Sequence, residues 1–122
     1  GRYPCGLCFV DENSIAFGLS DYVFTECTYE NVMIYDVSQE KIRTKFSGHD
    51  TGVYSVRKSI SGNLVLSSNH TTTKVWDERS GPKPVIVIQD LSNVSTLINN
   101  TIGGSTSTQL SIVDIRSPEK PY

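Results

Sequence analysis

The chain has 122 residues, enough for one domain of ordinary size, with 37% hydrophobic residues, 20% charged residues and a formal net charge of −2. This balance argues against a nucleic-acid-binding surface, which would be basic. No apolar run approaches the roughly 18 residues of a membrane-spanning helix, and three cysteines without a secretory signature are expected to be reduced thiols. We therefore expect no nucleic-acid partner and no membrane association.

Four short runs in the first part of the chain read as strands, and the third of them carries a repeated pattern whose periodicity favours a strand over a helix. These predicted strands are Leu7–Val10, Ile15–Leu19, Val32–Asp36 and Ile42–Phe46. The acidic and aromatic segment 21–30 separates the second run from the third. Because binding residues often lie on such irregular loops, this segment is a candidate contact for a partner.

A C-x-x-C motif, CGLC at residues 5–8, lies at the start of the first predicted strand. This spacing is typical of a redox dithiol or of half a zinc site. A redox pair needs a helix N-terminus to lower a thiol pKa, and a zinc site needs further ligands, for which only Cys27, His49 and His70 remain at irregular spacings. Residues three apart on a regular strand also point to opposite faces. A structural role is therefore expected, and a redox or metal site is the less favoured alternative.

The second and third parts of the chain contain similar short, strand-like runs. The second part predicts four strands, Val53–Val56, Asn63–Ser67, Thr73–Asp77 and Val85–Ile88. The third predicts three, Val94–Ile98, Ile102–Ser105 and Leu110–Asp114. The Asn99-Asn100 pair between the first two of these suits a two-residue hairpin turn, because asparagine tolerates positive φ.

One pattern, close to apolar-x-apolar-aromatic-Asp, recurs at the end of the third strand of each part. It reads VMIYD, TKVWD and LSIVD, and its aspartates, Asp36, Asp77 and Asp114, are 41 and 37 residues apart. A repeat of about 40 residues indicates a repeat architecture. One aspartate at the same place in every unit predicts an architectural role for these carboxylates rather than a catalytic one.

Four-stranded units of this length, with Gly48-His49 ahead of one unit and Trp76-Asp77 ending its third strand, resemble the WD-repeat β-propeller family. The resemblance covers essentially the whole chain. It implies an all-β fold, a partial propeller with blades at 4–48, 49–90 and 91–122, the third lacking its last strand. Since three blades cannot close a ring, it also implies that this is part of a larger propeller. Its open ends would then be covered by remaining blades from the same or another chain, or by self-association.

In that family a His, a Ser or Thr, a turn Asp and the Trp form a buried hydrogen-bond chain. The resemblance assigns these structural places to His49, Ser68 (with Ser67 as the alternative) and Trp76, while His70 stands where the turn aspartate would be. A cooperative network that lacks one member is weakened by more than one pairwise interaction. We therefore expect these blades to be less stable than consensus ones.

Two W-D-x-R-like stretches, WDER at 76–79 and VDIR at 113–116, resemble the boxes with which WD-repeat substrate receptors dock on the adaptor of cullin-RING ubiquitin ligases. This resemblance implies that Arg79 and Arg116 contact a ligase adaptor through forked hydrogen bonds. The alternative is that each arginine serves its own turn.

The expected function is a non-catalytic scaffold that binds proteins or peptides through its faces, with no cofactor and no metal. Tyr54 and Asn69 are the further candidate partner contacts, together with Arg79 and Arg116. A ubiquitin-ligase substrate receptor is the alternative function. By the habit of the family, the expected location is the cytoplasm or nucleus of a eukaryotic cell.

Overall fold

The computed structural model describes residues 2–21, 32–49, 52–60, 63–92, 94, 97–106 and 108–117. This part of the chain forms three antiparallel sheets. Nearly all of the candidate partner loop 21–30 lies outside the described residues, as does Cys27. The one helix described is a 3-10 turn, Glu78–Ser80, so no described helix is long enough to cross a membrane.

The first sheet contains four strands in chain order, each hydrogen-bonded to the next. They are β1 (Arg2–Asp11), β2 (Ser14–Asp21), β3 (Val32–Asp36) and β4 (Lys41–Phe46). All four predicted strands are present. β1 begins earlier than its predicted run, because its backbone stays paired with β2 as far as Asp21.

The second sheet repeats this arrangement. Its strands are β5 (Ser55–Lys58), β6 (Leu64–Ser68), β7 (Thr72–Asp77) and β8 (Ile86–Gln89). β5 starts two residues later than the predicted run, because the N–H of Val53 donates to the carbonyl of Leu19 in the first sheet at 3.1 Å. The residues before β5 therefore tie two sheets together.

The third sheet contains two described strands, β9 (Thr101–Ser105) and β10 (Leu110–Asp114). Asn99 and Asn100 have φ of 48° and 66°, and Ile98 and Thr101 exchange backbone hydrogen bonds across them. The predicted two-residue hairpin turn is confirmed. The predicted strand at 94–98 appears only as an isolated bridge at its last residue, and residues 95 and 96 lie outside the described part.

Apolar side chains fill the spaces between neighbouring sheets in two clusters. The cluster between the first and second sheets contains Val10, Ala16, Val32, Ile34, Phe46, Val53, Val56, Val65 and Trp76. The cluster between the second and third contains Leu66, Val75, Ile88, Leu91, Val94, Leu97, Ile102, Val113 and Ile115. We call these two contact zones the first seam and the second seam.

The strand order places functional side chains at two opposite ends of the sheets. In an antiparallel meander, the turns after the first and third strands emerge at one end, and the turn after the second at the other. The Asp end carries the turns that follow Asp36, Asp77 and Asp114. The His end carries His49, between β4 and β5, and His70, between β6 and β7.

Candidate functional site

A buried hydrogen-bond chain links the His end of the second sheet to the first seam. Trp76 Nε1 donates to Ser67 Oγ at 2.7 Å, and His49 Nε2 lies 2.7 Å from the same oxygen. All three side chains are at most 1% exposed. The ring of Phe46 stacks on Trp76 with centroids 5.0 Å apart. The tryptophan is therefore held by packing across the seam and by one hydroxyl within its own sheet.

The hydroxyl in this chain is that of Ser67, and the first-choice assignment to Ser68 was wrong. Side chains alternate across a strand, so Ser67 shares the side of Val65, which packs in the first seam with Trp76. Ser68 shares the side of Leu66, which packs in the second seam. Its buried hydroxyl has no hydrogen-bond partner among the described residues.

This difference predicts opposite outcomes for two neighbouring substitutions. Ser67→Ala should lower the free energy of unfolding by about 1–3 kcal/mol, because it strips a buried indole N–H and an imidazole nitrogen of their shared partner. Ser68→Ala should leave stability unchanged or raise it, because the hydroxyl that it removes makes no hydrogen bond. Urea unfolding of both variants checks this, and equal losses would contradict the assignment of Ser67.

The buried chain has no full counterpart in the other two sheets. Ser67 pairs with the residue of β7 that lies three positions before Asp77. In the other two sheets, the residue that pairs with the third position before the repeated aspartate is Phe17 in the first sheet and Gly104 in the third. Neither residue offers a hydroxyl. The network is therefore confined to the second sheet within the described part of the chain.

The turn between β6 and β7 is organised by Asn69. Its side-chain Oδ1 accepts the N–H groups of Thr71 at 3.0 Å and Thr72 at 2.9 Å, and the residue is 3% exposed. This is the usual way in which an asparagine closes a turn. Asn69, predicted to contact a partner, therefore supports the turn and offers almost no surface for such a contact.

The Asn69 turn holds His70 outward, against an aromatic neighbour. The ring centroids of His70 and Tyr54 are 4.5 Å apart at an interplanar angle of 44°. His70 is exposed and Tyr54 half-buried. The sequence analysis named Tyr54 as a partner contact, but considered His70 only as a possible metal ligand and as the replacement for the turn aspartate. An aromatic residue just before β5 and a second ring in the β6–β7 turn, at the same end of the sheet, is the signal that would have paired them.

Each repeated aspartate closes the turn that follows its strand. Asp36 Oδ1 accepts the hydroxyl of Ser38 at 2.7 Å and the N–H of Gln39 at 3.0 Å. Asp77 and Asp114 each accept the backbone N–H two residues later, at 3.0 Å and 2.9 Å. The Ser38 hydroxyl bond is the main cause that lowers the pKa of Asp36. These contacts support the architectural role predicted for the three carboxylates.

Arg79 and Arg116 fold back onto these carboxylates. Arg79 Nε and Nη2 donate to the two oxygens of Asp77 at 3.1 Å and 3.0 Å. Arg116 makes the same fork to Asp114, with Nε at 2.9 Å from Oδ1. The guanidinium side chains stay 78% and 69% exposed. The arginines thus each have a local partner, the carboxylate that closes their own turn.

The Arg79 fork also predicts how stability depends on pH. Its hydrogen bonds are the main cause that lowers the folded-state pKa of Asp77 below the ordinary 3.8. Because the pKa is lower in the folded state, the ionised carboxylate stabilises the fold at pH values above the pKa of the unfolded state. This contribution is lost as the pH falls through the pKa of the folded state. Acid titration of unfolding below about pH 4 should therefore show a shallower decline for Asp77→Asn than for the unmodified chain. The same slope for both proteins would contradict this.

An ion pair crosses the first seam at the Asp end. Arg43 Nε and Nη2 donate to the carboxylate of Glu78 at 2.9 Å and 3.1 Å, and Arg43 Nη1 donates to Ser14 Oγ at 2.7 Å. Thr44 Oγ1 donates to the same carboxylate. A cavity of about 130 Å³ lies beside the pair. The sequence analysis missed this pair, because it joins residues 35 apart on different sheets.

The CGLC motif bends rather than alternates. β1 changes register between Cys5 and Leu7, and Gly6 there has φ of +77°. The bulge pairs residue 5 with Gly18 and residue 8 with Ala16 in β2, so the regular strand that the sequence predicted is interrupted within the motif.

The chemistry around Cys8 does not favour a reactive thiolate. Burial raises the pKa of the Cys8 thiol, and nearby Arg57 and Lys58 offset this only in part. Reactive cysteines have lowered pKa values in electropositive, accessible surroundings. Among the residues that the structure describes, no group of three or more His, Cys, Asp or Glu side chains could hold a metal ion.

Comparison with known proteins identifies the fold. No family model matches the chain. The chain is 34% identical over 61 residues to Cell division control protein 4 of Saccharomyces cerevisiae, and this match covers 50% of the chain and 8% of that protein. The chain therefore spans a small part of the curated relative that it resembles.

Two solved structures share the architecture of the three sheets. The β-propeller domain of Cps50 (Swd1) from Myceliophteria thermophila superposes with a TM-score of 0.76 at 20% identity, over 100% of this chain and 38% of that one. The computationally designed Ika8 protein superposes with a TM-score of 0.68 at 16% identity, over 92% of this chain and 33% of that one. The fold is that of consecutive blades of a β-propeller, as the resemblance to WD repeats implied.

Proposed function

We propose that this chain is a non-catalytic scaffold that binds other proteins or peptides through side chains at the ends of its sheets. The observation that carries the proposal is the Tyr54–His70 ring pair, with centroids 4.5 Å apart, at the His end. Asn69 fixes the turn below it through two hydrogen bonds of about 3 Å. A rigid turn that presents aromatic side chains is suited to binding.

The physical advantage of such a pair lies in its low entropic cost. An aromatic ring offers a large contact area while only two torsion angles must be fixed, which is why tyrosine is enriched in binding surfaces. Tyr54 is half-buried and His70 rests against it, so both rings are oriented before any partner arrives. Pre-orientation leaves less conformational freedom to lose on association.

Affinity capture from a eukaryotic lysate tests this proposal. The baits are the unmodified chain, the double variant Tyr54→Ala/His70→Ala and the control Thr108→Ala, which changes an exposed residue between β9 and β10. We expect the double variant to lose specific proteins, identified by mass spectrometry, that the control retains. Identical protein lists from all three baits would contradict the assignment of the ring pair.

A docking role at the Asp end is the second candidate, in which the chain acts as a substrate receptor of a ubiquitin ligase in the cytoplasm or nucleus. It is favoured by the two exposed guanidinium groups of Arg79 and Arg116, which occupy matching turns of neighbouring sheets. Each is pre-oriented by the carboxylate two residues earlier. Arginine guanidinium groups bind carboxylates through forked hydrogen bonds, which suits these two exposed side chains to an acidic partner.

The Asp-end proposal needs variants that separate charge from geometry. Arg79→Lys/Arg116→Lys keeps both charges but removes the forked donors, whereas the double alanine variant removes both. We expect a ligase adaptor among the proteins captured by the unmodified chain, and its loss from both variants. If the adaptor is absent, or is retained by the alanine variant, the arginines serve only their own turns.

A redox or metal site at the CGLC motif is the least favoured alternative and has its own test. Cys5→Ser/Cys8→Ser should leave stability and the captured partners unchanged if the chain is a scaffold. Loss of metal content or of thiol–disulfide exchange activity in that variant, measured against the unmodified chain, would instead establish a site at this motif.

A further inference from the structure

The outer edges of the first and second sheets differ in their chemistry. β4 and β8 are the last strands of these sheets, so within the described part of the chain each is hydrogen-bonded to a strand on one side only. β4 carries cations at alternate positions, Lys41, Arg43 and Lys45. Charged side chains of this kind keep an exposed sheet edge from pairing with another chain. β8, with the sequence IVIQ, has no charged residue and lacks this protection.

The two edges can be compared residue by residue. Lys45 and Val87 each pair with the residue that lies three positions before the repeated aspartate of their own sheet. Two positions earlier, Arg43 stands in the first sheet and Val85 in the second. Two cations of the first edge are thus replaced by two β-branched residues, the type that strands favour.

These valines are exposed although the second sheet has a described sheet on either side. Val85 is 44% exposed and Val87 is 40% exposed. Ile86 and Ile88, which alternate with them, pack in the second seam and hold the strand in place. Because both seams of the second sheet are already formed, a further sheet packed on the first or the third would not cover the two valines.

The backbone of β8 is open along the same edge. The order β5-β6-β7-β8 leaves no further strand beside β8 among the residues that the structure describes. The connection between the first two sheets contacts this part of the chain before the strand begins, where the N–H of Ser47 donates to the carbonyl of Pro82 at 2.7 Å. In an antiparallel sheet, alternate residues of the last strand direct their N–H and C=O groups outward. β8 can therefore act as a template for another strand over Ile86–Gln89.

The length of this edge favours a slender ligand over a second copy of the chain. A strand of four residues spans about 13 Å, at roughly 3.3 Å per residue. A specific interface between two folded proteins buries about 800 Å² on each partner, far more than so short an edge offers. A single extended segment, by contrast, obtains its affinity from backbone hydrogen bonds along the edge and its specificity from alternate side chains.

The charges at the two ends of the edge specify the direction of that segment. Exposed Lys83 precedes β8, and exposed Asp90 follows it. Antiparallel pairing, which continues the pattern of the sheet, brings the N-terminal end of an added segment beside Asp90 and its C-terminal end beside Lys83. The matching ligand therefore has a basic residue first and an acidic residue last. Apolar residues at alternate positions between them would pack on the two valines.

We propose that the outer edge of β8 binds an extended peptide segment of a partner protein as an additional antiparallel strand. The backbone of the segment pairs with Ile86–Gln89, and its apolar side chains lie on Val85 and Val87. This surface is separate from the Asp end and the His end. The inference therefore does not depend on the function proposed for the Tyr54–His70 pair.

Two synthetic peptides of identical composition test the pairing and its direction. The probe is a fluorescently labelled peptide of sequence KTVTVTE, and the control is the same peptide with its charges exchanged, ETVTVTK. Binding is measured by fluorescence anisotropy at low ionic strength, where exposed charge pairs contribute most. We expect the probe to bind about fivefold more tightly than the control, because two favourable charge pairs become two repulsive ones.

An edge variant carries the residues of β4 into β8. Val85→Arg/Val87→Lys should weaken binding of the probe by roughly tenfold or more, because it installs the charges that protect the first edge. Thr108→Lys, which adds a cation at an exposed turn of the third sheet, should bind the probe like the unmodified chain. Amide exchange at Val53, whose N–H bonds to Leu19 across the first seam, verifies that each variant is folded.

Amide methylation of the probe separates backbone pairing from side-chain contact. Alternate residues of an added strand direct their N–H groups toward the edge. One peptide is methylated at the amides of its two valines, and another at the amides of the threonines that precede them. We expect one of these peptides to lose binding and the other to retain it.

Other outcomes of these experiments overturn the proposal. If neither unmethylated peptide binds, the edge does not accept a strand, and if both methylated peptides bind, no backbone ladder forms. Equal affinity for the two charge orders would contradict the antiparallel direction. Self-association of the unmodified chain in sedimentation velocity that is lost in Val85→Arg/Val87→Lys would place a second copy on this edge in place of a peptide.

Discussion

Replacing Trp76 by alanine is expected to lower the free energy of unfolding by about 3–5 kcal/mol, the cost typical of removing a large aromatic side chain from a core. Trp76 is completely buried, its ring stacks on Phe46 at 5.0 Å, and its indole N–H holds Ser67. Domain stabilities are only about 5–15 kcal/mol. The variant should therefore melt far below the unmodified chain or be largely unfolded at room temperature.

A more conservative change at the same position separates packing from hydrogen bonding. Trp76→Phe retains an aromatic ring beside Phe46 but removes the N–H that Ser67 accepts, so we expect a smaller loss of about 1–3 kcal/mol. Urea unfolding followed by circular dichroism measures both variants. If Trp76→Ala unfolds at the same urea concentration as the unmodified chain, the first seam does not depend on this side chain.

Gly6→Ala should destabilise the chain by about 3–5 kcal/mol, although it adds a single methyl group. Gly6 has φ of +77°, a conformation that alanine adopts only with strain. An added Cβ would also lie 2.9 Å from the backbone nitrogen of Val56 and 3.3 Å from Ser55 in β5. Since the obstacle is backbone, the two sheets would have to move apart.

Gly81→Ala is the matched control for backbone strain without crowding. Gly81 also has positive φ, at +94°, but nothing lies within 4 Å of its added Cβ. We expect a loss of about 1–3 kcal/mol there. The Gly6 variant should, in addition, speed amide exchange at Val53, which reports on the first seam. Unchanged exchange at Val53 would show that Gly6 does not control the approach of the two sheets.

The local part of this fold follows directly from the residue pattern. β3 and β10 have the predicted bounds, Val32–Asp36 and Leu110–Asp114. Both strands end at an aspartate whose side chain closes the next turn, so neighbouring residues alone determine where they end. The Asn99-Asn100 turn was predictable for the same reason. The blade boundaries at 48 and 90 remain predictions.

The parts that sequence reasoning missed depend on residues far apart in the chain. Ser67 and Ser68 are chemically identical neighbours, and only the seam that each one faces decides which meets Trp76. The Arg43–Glu78 pair requires two sheets to be in place before the side chains can approach. Gly6 belongs to a motif that suggests thiol chemistry, whereas the close passage of β5 explains the glycine.

The Arg43–Glu78 pair makes the first seam different from the second. At the first seam, the residue after the repeated aspartate is the charged Glu78, which pairs with Arg43. At the second seam, the same place is taken by Ile115, which is buried. Deleting the second sheet, or exchanging the second and third, would bring the guanidinium of Arg43 against an isoleucine in place of the hydrogen-bonded carboxylate of Glu78. Sheets built on one repeated pattern are thus not interchangeable at their contact surfaces.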